Sequence, residues 1–249
     1  MPAVDLSAAF DVRRGSIVTA VGGGGKTSLV FRLAREAADR GERAVVATTT
    51  KFTVPGEQGP LVYAEGGEAA IHTEVERTAA PGTVLIAHSG RGARGRLMGF
   101  TADVAGQIPG DVVAIEGDGS AHRPFKAPDA HEPVIPPQST HVVVCVGLEV
   151  LGQPLAEERV HRAKLVAALT SARPGSPVVA DMIVDVLLHP DGGRKGVPPG
   201  TRLMALLNAP RTEEHRRLGD HIGARLVYGG FERAIVATAH AGAVHSLVR

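Results

Sequence analysis

The chain has 249 residues, a formal net charge of +1 and a single cysteine, Cys145. This length suits one α/β domain over residues 1–249, and one cysteine excludes both a disulfide framework and a cysteine zinc cluster. The near-neutral charge gives no general reason to expect nucleic-acid or membrane-surface binding. The longest apolar runs have strand length, so we predict no membrane span. With no signal-peptide pattern at the N-terminus, we expect a cytoplasmic protein.

Short apolar runs alternate with amphipathic segments along the chain, which is typical of βαβ units. We therefore predict an α/β fold, a mostly parallel sheet with helices on both faces in three layers. Strands are predicted at Ser16–Val21, Arg43–Thr50, Thr83–His88, Asp111–Glu116, His141–Val146, Pro177–Ala180, Arg202–Leu207, Arg225–Tyr228 and Ala234–Ala239. Helices are predicted at Lys26–Arg40, Glu157–Ser171, Met182–Leu188 and Thr212–Gly223.

The most specific motif is VGGGGKTS at Val21–Ser28, between a predicted strand and a predicted helix. This is the context of a Walker A loop, so we predict that the α/β fold is of the P-loop NTPase type, although Ala20 stands where the consensus has its first glycine. Glycines let consecutive N–H groups curve around phosphate oxygens, and the helix N-terminus adds further donors. The predicted ligand is ATP or GTP with Mg²⁺. Contacts are expected from Gly22, Gly23, Gly24, Gly25, Lys26, Thr27 and Ser28, with the Thr27 hydroxyl as a metal ligand.

A P-loop also needs an acidic residue at the end of a neighbouring strand to hold Mg²⁺. Glu116 ends an apolar strand, and Asp118 follows it in a glycine-flanked turn. Ligands bind at the carboxyl ends of strands in open parallel sheets. Both carboxylates are therefore candidate metal ligands, and Asp118 is also a candidate for positioning the attacking group. The alternative is that Asp118-Gly119 is an ordinary turn.

Three further segments carry candidate polar groups. Thr49 and Thr50 end the second strand and are candidate phosphate contacts, and Lys51 follows as a candidate for stabilising a transferred phosphoryl group. The segment His88–Arg96 carries three arginines, of which Arg94 is the candidate catalytic cation of a loop that closes over phosphates. Asn208 ends a later strand, where many P-loop proteins contact the base. Each of these residues has a plain structural alternative: strand-forming threonines, a solvated basic loop and a turn asparagine.

The chain resembles the YqeC family in a set of motifs spread from Val21 to Asn208. Besides the glycine loop, the resemblance rests on VVATTTKF, EGDGS, RPFKAPDAHEPVIPPQST, VGLEVLGQPL and LLHPDGGRKGVPPG. It implies an accessory protein for selenium-dependent molybdenum hydroxylases, also described as a selenium-cofactor biosynthesis protein. It further implies that Lys26 and Thr27 bind nucleotide, that Glu116 and Asp118 hold Mg²⁺, and that 126–136 lines the site or a partner surface.

Three functions fit the sequence. The first is a nucleotide-dependent maturation factor that acts on a molybdenum hydroxylase or with its cofactor-assembly proteins. The second is a small-molecule kinase with an arginine-rich lid, and the third is a nucleotide switch that docks without turnover. In the catalytic versions, Lys26 and Mg²⁺ hold the phosphates, Asp118 or Glu116 positions water or acceptor, and Lys51 and Arg94 stabilise developing charge.

Overall fold

The computed structural model describes residues 5–54, 56 and 60–249, except for the side chain of Arg94. Its helices are α1 (Leu6–Phe10), α2 (Lys26–Asp39), α3 (Ile71–Thr78), α4 (Ala102–Ala105), α5 (Ala163–Thr170), α6 (Ala180–Leu188) and α7 (Glu213–Tyr228). Its strands are β1 (Ser16–Gly22), β2 (Ala44–Thr48), β3 (Lys51–Phe52), β4 (Leu61–Glu65), β5 (Val84–His88), β6 (Gly90–Arg91), β7 (Leu97–Met98), β8 (Val112–Glu116), β9 (Phe125–Lys126), β10 (His141–Gly147), β11 (Val160–His161), β12 (Arg202–Asn208), β13 (Arg233–Thr238) and β14 (Ala243–Val248).

Among the described residues, nine strands form one sheet in the order β14-β13-β12-β10-β1-β8-β2-β5-β4. Every pairing is parallel except that of β13 with the edge strand β14. The glycine loop follows β1, which lies at the centre of the sheet between β8 and β10. The carboxyl ends of β1, β2, β8, β10 and β12 therefore meet at one edge.

The strands are buried on both faces because their apolar side chains alternate between two cores. In β10, Val143 and Cys145 pack into the core that also contains α1 and α2, whereas Val142 and Val144 pack with α6 and α7. A third cluster packs α3 against β4 and β5 at the other end of the sheet. The mixed α/β architecture with helices on both faces confirms the predicted fold class and is consistent with a P-loop-like three-layer fold.

The structure corrects two predicted strands. Arg225–Tyr228 is the last turn of α7, because Ile222 and Leu226 lie one helical turn apart and both are buried. Pro177–Ala180 forms only an isolated bridge, between Pro177 and Pro154, and Ala180 already begins α6. The predicted helix Glu157–Ser171 is shortened to α5, because Val160–His161 pairs with β9 instead.

Several elements were not predicted: the helices α1, α3 and α4 and the strands β4, β9, β11 and β14. The arginine-rich segment also contains structure of its own, since β6 and β7 join β3 in a small antiparallel sheet. In the described part of the chain, no helix has both the length and the apolar character required to cross a bilayer.

Candidate nucleotide-binding site

The loop between β1 and α2 has a backbone that only glycine can follow. Gly22, Gly24 and Gly25 have φ values of +91°, +76° and +132°. A Cβ on Gly22 would lie 2.6 Å from the Cys145 carbonyl oxygen, and one on Gly24 would overlap the backbone of Gly147. Neither neighbour is a flexible side chain, so the glycine run is required by both backbone conformation and space.

The loop presents consecutive N–H groups to an open cleft of about 900 Å³. The Gly22 N–H donates to Asp118, and the Gly23 N–H donates to the Cys145 carbonyl oxygen. By contrast, the N–H groups of the next five residues, Gly24 to Ser28, have no acceptor among the residues that the structure describes. All five residues line the cleft. Open amides at a helix N-terminus form a site suited to anions.

Lys26 adds a buried positive charge behind these amides. Its side chain is 3% exposed, and its Nζ donates to the Gly22 carbonyl oxygen at 2.7 Å. Asp118 Oδ1 lies 3.4 Å from this Nζ and Glu116 Oε1 lies 3.9 Å from it. Burial alone lowers the pKa of Lys26, but the charges of Asp118 and Glu116 outweigh it and the pKa is raised. Lys26 is therefore charged, as a phosphate-binding lysine must be.

Thr27 and Glu116 form the second part of the site. The Thr27 hydroxyl donates to Glu116 Oε2 at 2.7 Å, and both residues line the cleft. Glu116 is brought there by β8, whose last residue pairs with Ala20 of β1 and with Thr48 of β2. Burial raises the pKa of Glu116, with Lys26 and Thr27 acting in the opposite sense. A hydroxyl and a carboxylate oxygen are ligands that Mg²⁺ accepts, so this pair fits that ion.

Asp118, the other predicted metal ligand, is placed differently. It is 1% exposed and borders a small pocket of about 20 Å³ behind the loop rather than the larger cleft. Its two oxygens accept the Gly22 N–H at 3.1 and 3.0 Å. Lys126 Nζ lies 2.9 Å from Asp118 Oδ2, opposite Lys26. This arrangement supports the loop from behind.

Lys126 continues these contacts into the proline-rich segment. Its side chain is 1% exposed, and its Nζ contacts Glu132 Oε2 at 2.5 Å. Arg162 donates to the same carboxylate oxygen at 2.6 Å, and its Nε lies 3.3 Å from Asp129 Oδ2. A continuous series of hydrogen bonds and ion pairs thus connects the glycine loop, through Asp118 and Lys126, to Glu132 and Arg162. The family motif around Lys126 drew attention to this segment in the sequence, but it did not predict these ion pairs.

Asn208, predicted to contact the base, holds the glycine loop instead. Its Nδ2 donates to the Gly24 carbonyl oxygen at 3.0 Å, and its Oδ1 accepts the Ala239 N–H at 3.0 Å. The residue is 8% exposed. Both ends of its amide therefore bond to backbone groups at the edge of the sheet.

The hydroxyls of Thr49 and Thr50, the predicted phosphate contacts, bond to other protein groups, whereas Lys51 and Arg96 line the cleft. The Thr49 hydroxyl donates to the Val134 carbonyl oxygen, and that of Thr50 lies 3.3 Å from the Thr48 hydroxyl. Lys51 lies at the cleft and is exposed. Arg94 lies in a short 3₁₀ turn, and its side chain is outside the described part of the structure. Arg96, two residues later, lines the cleft.

The turn from 119 to 124 closes the cleft next to the glycine loop. Ala121 and His122 both have positive φ, 48° and 60°, and both line the cleft with Arg123. Two consecutive left-handed residues other than glycine are costly and occur mainly at functional sites. No sequence motif marks His122, because the feature that distinguishes it is backbone conformation, which the sequence does not display.

Comparison with known proteins decides the family. The family model described as "YqeC protein" matches residues 18–164. The chain belongs to the YqeC family. This YqeC-family chain is also 34% identical over 209 residues to the Escherichia coli (strain K12) protein named "Uncharacterized protein YqeC", covering 82% of the chain and 79% of that relative. No solved structure matches it significantly.

The segment that matches the YqeC model contains most of the site. It begins in β1 and ends in α5, so it includes the glycine loop, Glu116 and Asp118. It also includes Lys126, Glu132 and Arg162, whereas Asn208 lies outside it.

Proposed function

We propose that this YqeC-family protein binds ATP or GTP with Mg²⁺ at the glycine loop and hydrolyses or transfers the terminal phosphoryl group. The observation that carries the proposal is the set of five open N–H groups at Gly24–Ser28, beside a charged, buried Lys26. These groups alone would be sufficient to bind an anion. The Thr27–Glu116 pair at the same cleft adds the oxygen ligands that a Mg²⁺-nucleotide requires.

In this proposal each residue has a defined task. The open amides and Lys26 hold the phosphates, with Lys26 exchanging its bond to the Gly22 carbonyl oxygen for a phosphate oxygen. Thr27 and Glu116 hold the metal, which supplies charge neutralisation at the phosphates when bound. Lys51 and Arg94 remain the candidates for stabilising negative charge on the transferred group.

Two predicted contacts take other roles in the proposal. Asp118 acts as a positioning residue, because its oxygens already bond to Gly22 and Lys126 behind the loop. Asn208 braces Gly24, because both ends of its amide are bonded to backbone groups. With Asn208 so engaged, no described contact selects between adenine and guanine.

The family supplies the cellular role in the proposal. We propose that nucleotide turnover serves the maturation of a selenium-dependent molybdenum hydroxylase, the role that the resemblance to YqeC proteins implies. Co-purification of the chain with a tagged hydroxylase of this class, with and without nucleotide, tests that role. Failure to co-purify under both conditions contradicts it.

The nucleotide site is tested by calorimetric titration of ATP and GTP with Mg²⁺ into the wild type and Lys26→Ala. We expect the variant to bind at least about tenfold more weakly, since it loses a charge-assisted bond to phosphate. Lys164→Ala, which removes an exposed lysine on α5, is the matched control and should bind as the wild type does.

Because Lys26 is buried beside two carboxylates, the fold of Lys26→Ala is checked by circular dichroism. If that variant unfolds, Thr27→Val gives a second test. It removes the hydroxyl assigned to Mg²⁺ and nearly keeps the size of the side chain, so binding of the Mg²⁺-nucleotide should weaken. Equal affinity for the wild type and the folded variants, or no binding by the wild type, contradicts the proposed site.

A further inference from the structure

The same cleft is also lined by three basic residues outside the glycine loop. Lys51 comes from β3, Arg96 from the turn before β7, and Arg123 from the turn at 119–124. These three cations belong to separate segments of the sequence and meet at the same cleft. We refer to Lys51, Arg96 and Arg123 as the basic wall.

No carboxylate in the described part of the chain forms an ion pair with the basic wall. Arg96 donates to the Lys51 carbonyl oxygen at 2.9 Å, and Arg123 donates to the carbonyl oxygens of Glu157 and Ala121 at 2.9 and 2.6 Å. These bonds fix the two guanidinium groups and leave their charges unneutralised. Such a wall concentrates anions within the cleft.

The acidic residues that line the cleft are already engaged. Glu116 accepts the Thr27 hydroxyl, and Glu149 pairs with Arg211. The glycine loop has its own open amides and Lys26 for the nucleotide phosphates. Arg96 and Arg123 therefore add positive charge beyond the groups assigned to the nucleotide, whereas Lys51 is also the candidate for stabilising the transferred phosphoryl group.

The basic wall is also held in place by the fold. Lys51 pairs with Met98 in the small sheet of β3, β6 and β7, and Arg96 directly precedes β7 in that sheet. Arg123 follows the two left-handed residues Ala121 and His122. The guanidinium groups of Arg96 and Arg123, which are held by hydrogen bonds, lose less conformational entropy on binding an anion than free surface side chains do, whereas the Lys51 side chain is exposed.

We infer that the basic wall binds a second ligand next to the nucleotide, a small molecule that carries a phosphate group. Arginine forks and a lysine ammonium together match the geometry and charge of phosphate oxygens. The inference rests on the proposed function, since it places this ligand beside the nucleotide as the candidate phosphoryl acceptor or co-substrate.

The test titrates inorganic phosphate into the full chain saturated with Mg²⁺ and a non-hydrolysable ATP analogue, by calorimetry. The double variant Arg96→Ala/Arg123→Ala removes the two arginines of the basic wall and keeps Lys51, which the proposed function assigns to the transferred phosphoryl group. The control Lys164→Ala/Arg217→Ala removes the same charge from exposed positions on α5 and α7. We expect the double variant to bind phosphate at least about tenfold more weakly, and the control to bind within about threefold of the wild type.

Affinity for the analogue, measured on the same samples, separates this inference from the proposed function. Loss of phosphate binding with analogue affinity within about threefold supports the basic wall as a second site. Equal phosphate binding in all three proteins, or none in the wild type, overturns the inference. Parallel loss of phosphate and analogue also overturns it, because the wall would then serve the nucleotide itself.

A wild type that binds no analogue contradicts the proposed function instead. The phosphate titration is then repeated without nucleotide, and the same comparison of variants decides whether the basic wall is an anion site.

Discussion

Gly22 donates its backbone N–H to both carboxylate oxygens of Asp118, at 3.1 and 3.0 Å. This bond ties the first residue of the glycine loop to the turn that follows β8. The same carboxylate lies between two buried ammonium groups, Lys26 at 3.4 Å and Lys126 at 2.9 Å. A single side chain thus fixes the loop and balances the charge on both sides of it. Removal of that charge should affect stability as well as binding.

We predict that Asp118→Asn destabilises the protein by about 3 kcal/mol, because two buried lysines lose a shared counter-charge. Asparagine keeps an acceptor for the Gly22 N–H, so the variant isolates the effect of charge. The free energy of unfolding is measured by urea denaturation, with nucleotide affinity measured on the same samples.

The control for this prediction is Asp191→Asn, whose side chain is 77% exposed and should change stability by less than about 0.5 kcal/mol. If Asp118→Asn proves as stable as that control, the carboxylate does not balance the two lysines.

The fold could largely be predicted because its central strands are continuous apolar runs, as in Val112–Glu116. The failures came where an apolar run is short. The segment Arg225–Tyr228 reads as a strand by itself, and only the burial of Leu226 with Ile222 shows that α7 continues through it. A local sequence pattern cannot distinguish a short strand from the last turn of a helix unless the packing partner is known.

The candidate site was predictable where its residues are adjacent in sequence, as in Gly25-Lys26-Thr27. Glu116 was predicted as a metal ligand because a P-loop requires an acid at the end of a neighbouring strand, and the structure places it at the cleft beside Thr27. The direction of a side chain was not predictable: Asp118 points behind the loop, two residues after Glu116 on the same chain segment. Nor was the Asn208 brace, which joins residues 184 positions apart.

The Thr27–Glu116 pair predicts a specific metal defect. In Glu116→Gln the carboxylate charge is lost, and we expect the Mg²⁺ concentration needed for half-maximal nucleotide binding to rise at least about tenfold. Glu149→Gln, a change at another cleft-lining carboxylate that is paired with Arg211, should leave that concentration within about threefold. Titration of Mg²⁺ at fixed nucleotide measures it, and an unchanged requirement in Glu116→Gln means that Glu116 is not a metal ligand.

The glycine loop predicts a difference between two neighbouring alanine substitutions. A Cβ on Gly24 meets the backbone of Gly147, whereas one on Gly25 meets the side chain of Asn208. Both variants should lose nucleotide binding and at least about 2 kcal/mol of stability, from overlap and from positive φ. Because Asn208→Ala itself removes two hydrogen bonds, the comparison is made within the Asn208→Ala background, where Gly25→Ala should cost less stability than in the wild type and Gly24→Ala should cost as much.

The control for these substitutions is Gly119→Ala, which lines the same cleft and has open space at its Cβ. It should change stability by less than about 0.5 kcal/mol, as measured by urea denaturation. A stability cost of Gly25→Ala that is the same in the Asn208→Ala background as in the wild type would contradict the assigned contacts.

The ion pairs of Glu132 predict how the free energy of unfolding falls in acid. Burial raises the pKa of this carboxyl, but hydrogen bonds from Arg162 and Lys126 outweigh it and bring the pKa to about 2. A pKa below the unfolded value near 4.5 stabilises the folded state above about pH 4.5. That stabilisation, at most about 3 kcal/mol, is lost as the pH falls from about 4.5 toward 2. In Glu132→Gln the free energy of unfolding, measured by urea denaturation between pH 7 and 3, should therefore be lower at neutral pH and fall less steeply in acid. An acid slope equal to that of the wild type would show that the Glu132 ion pairs do not cause this fall.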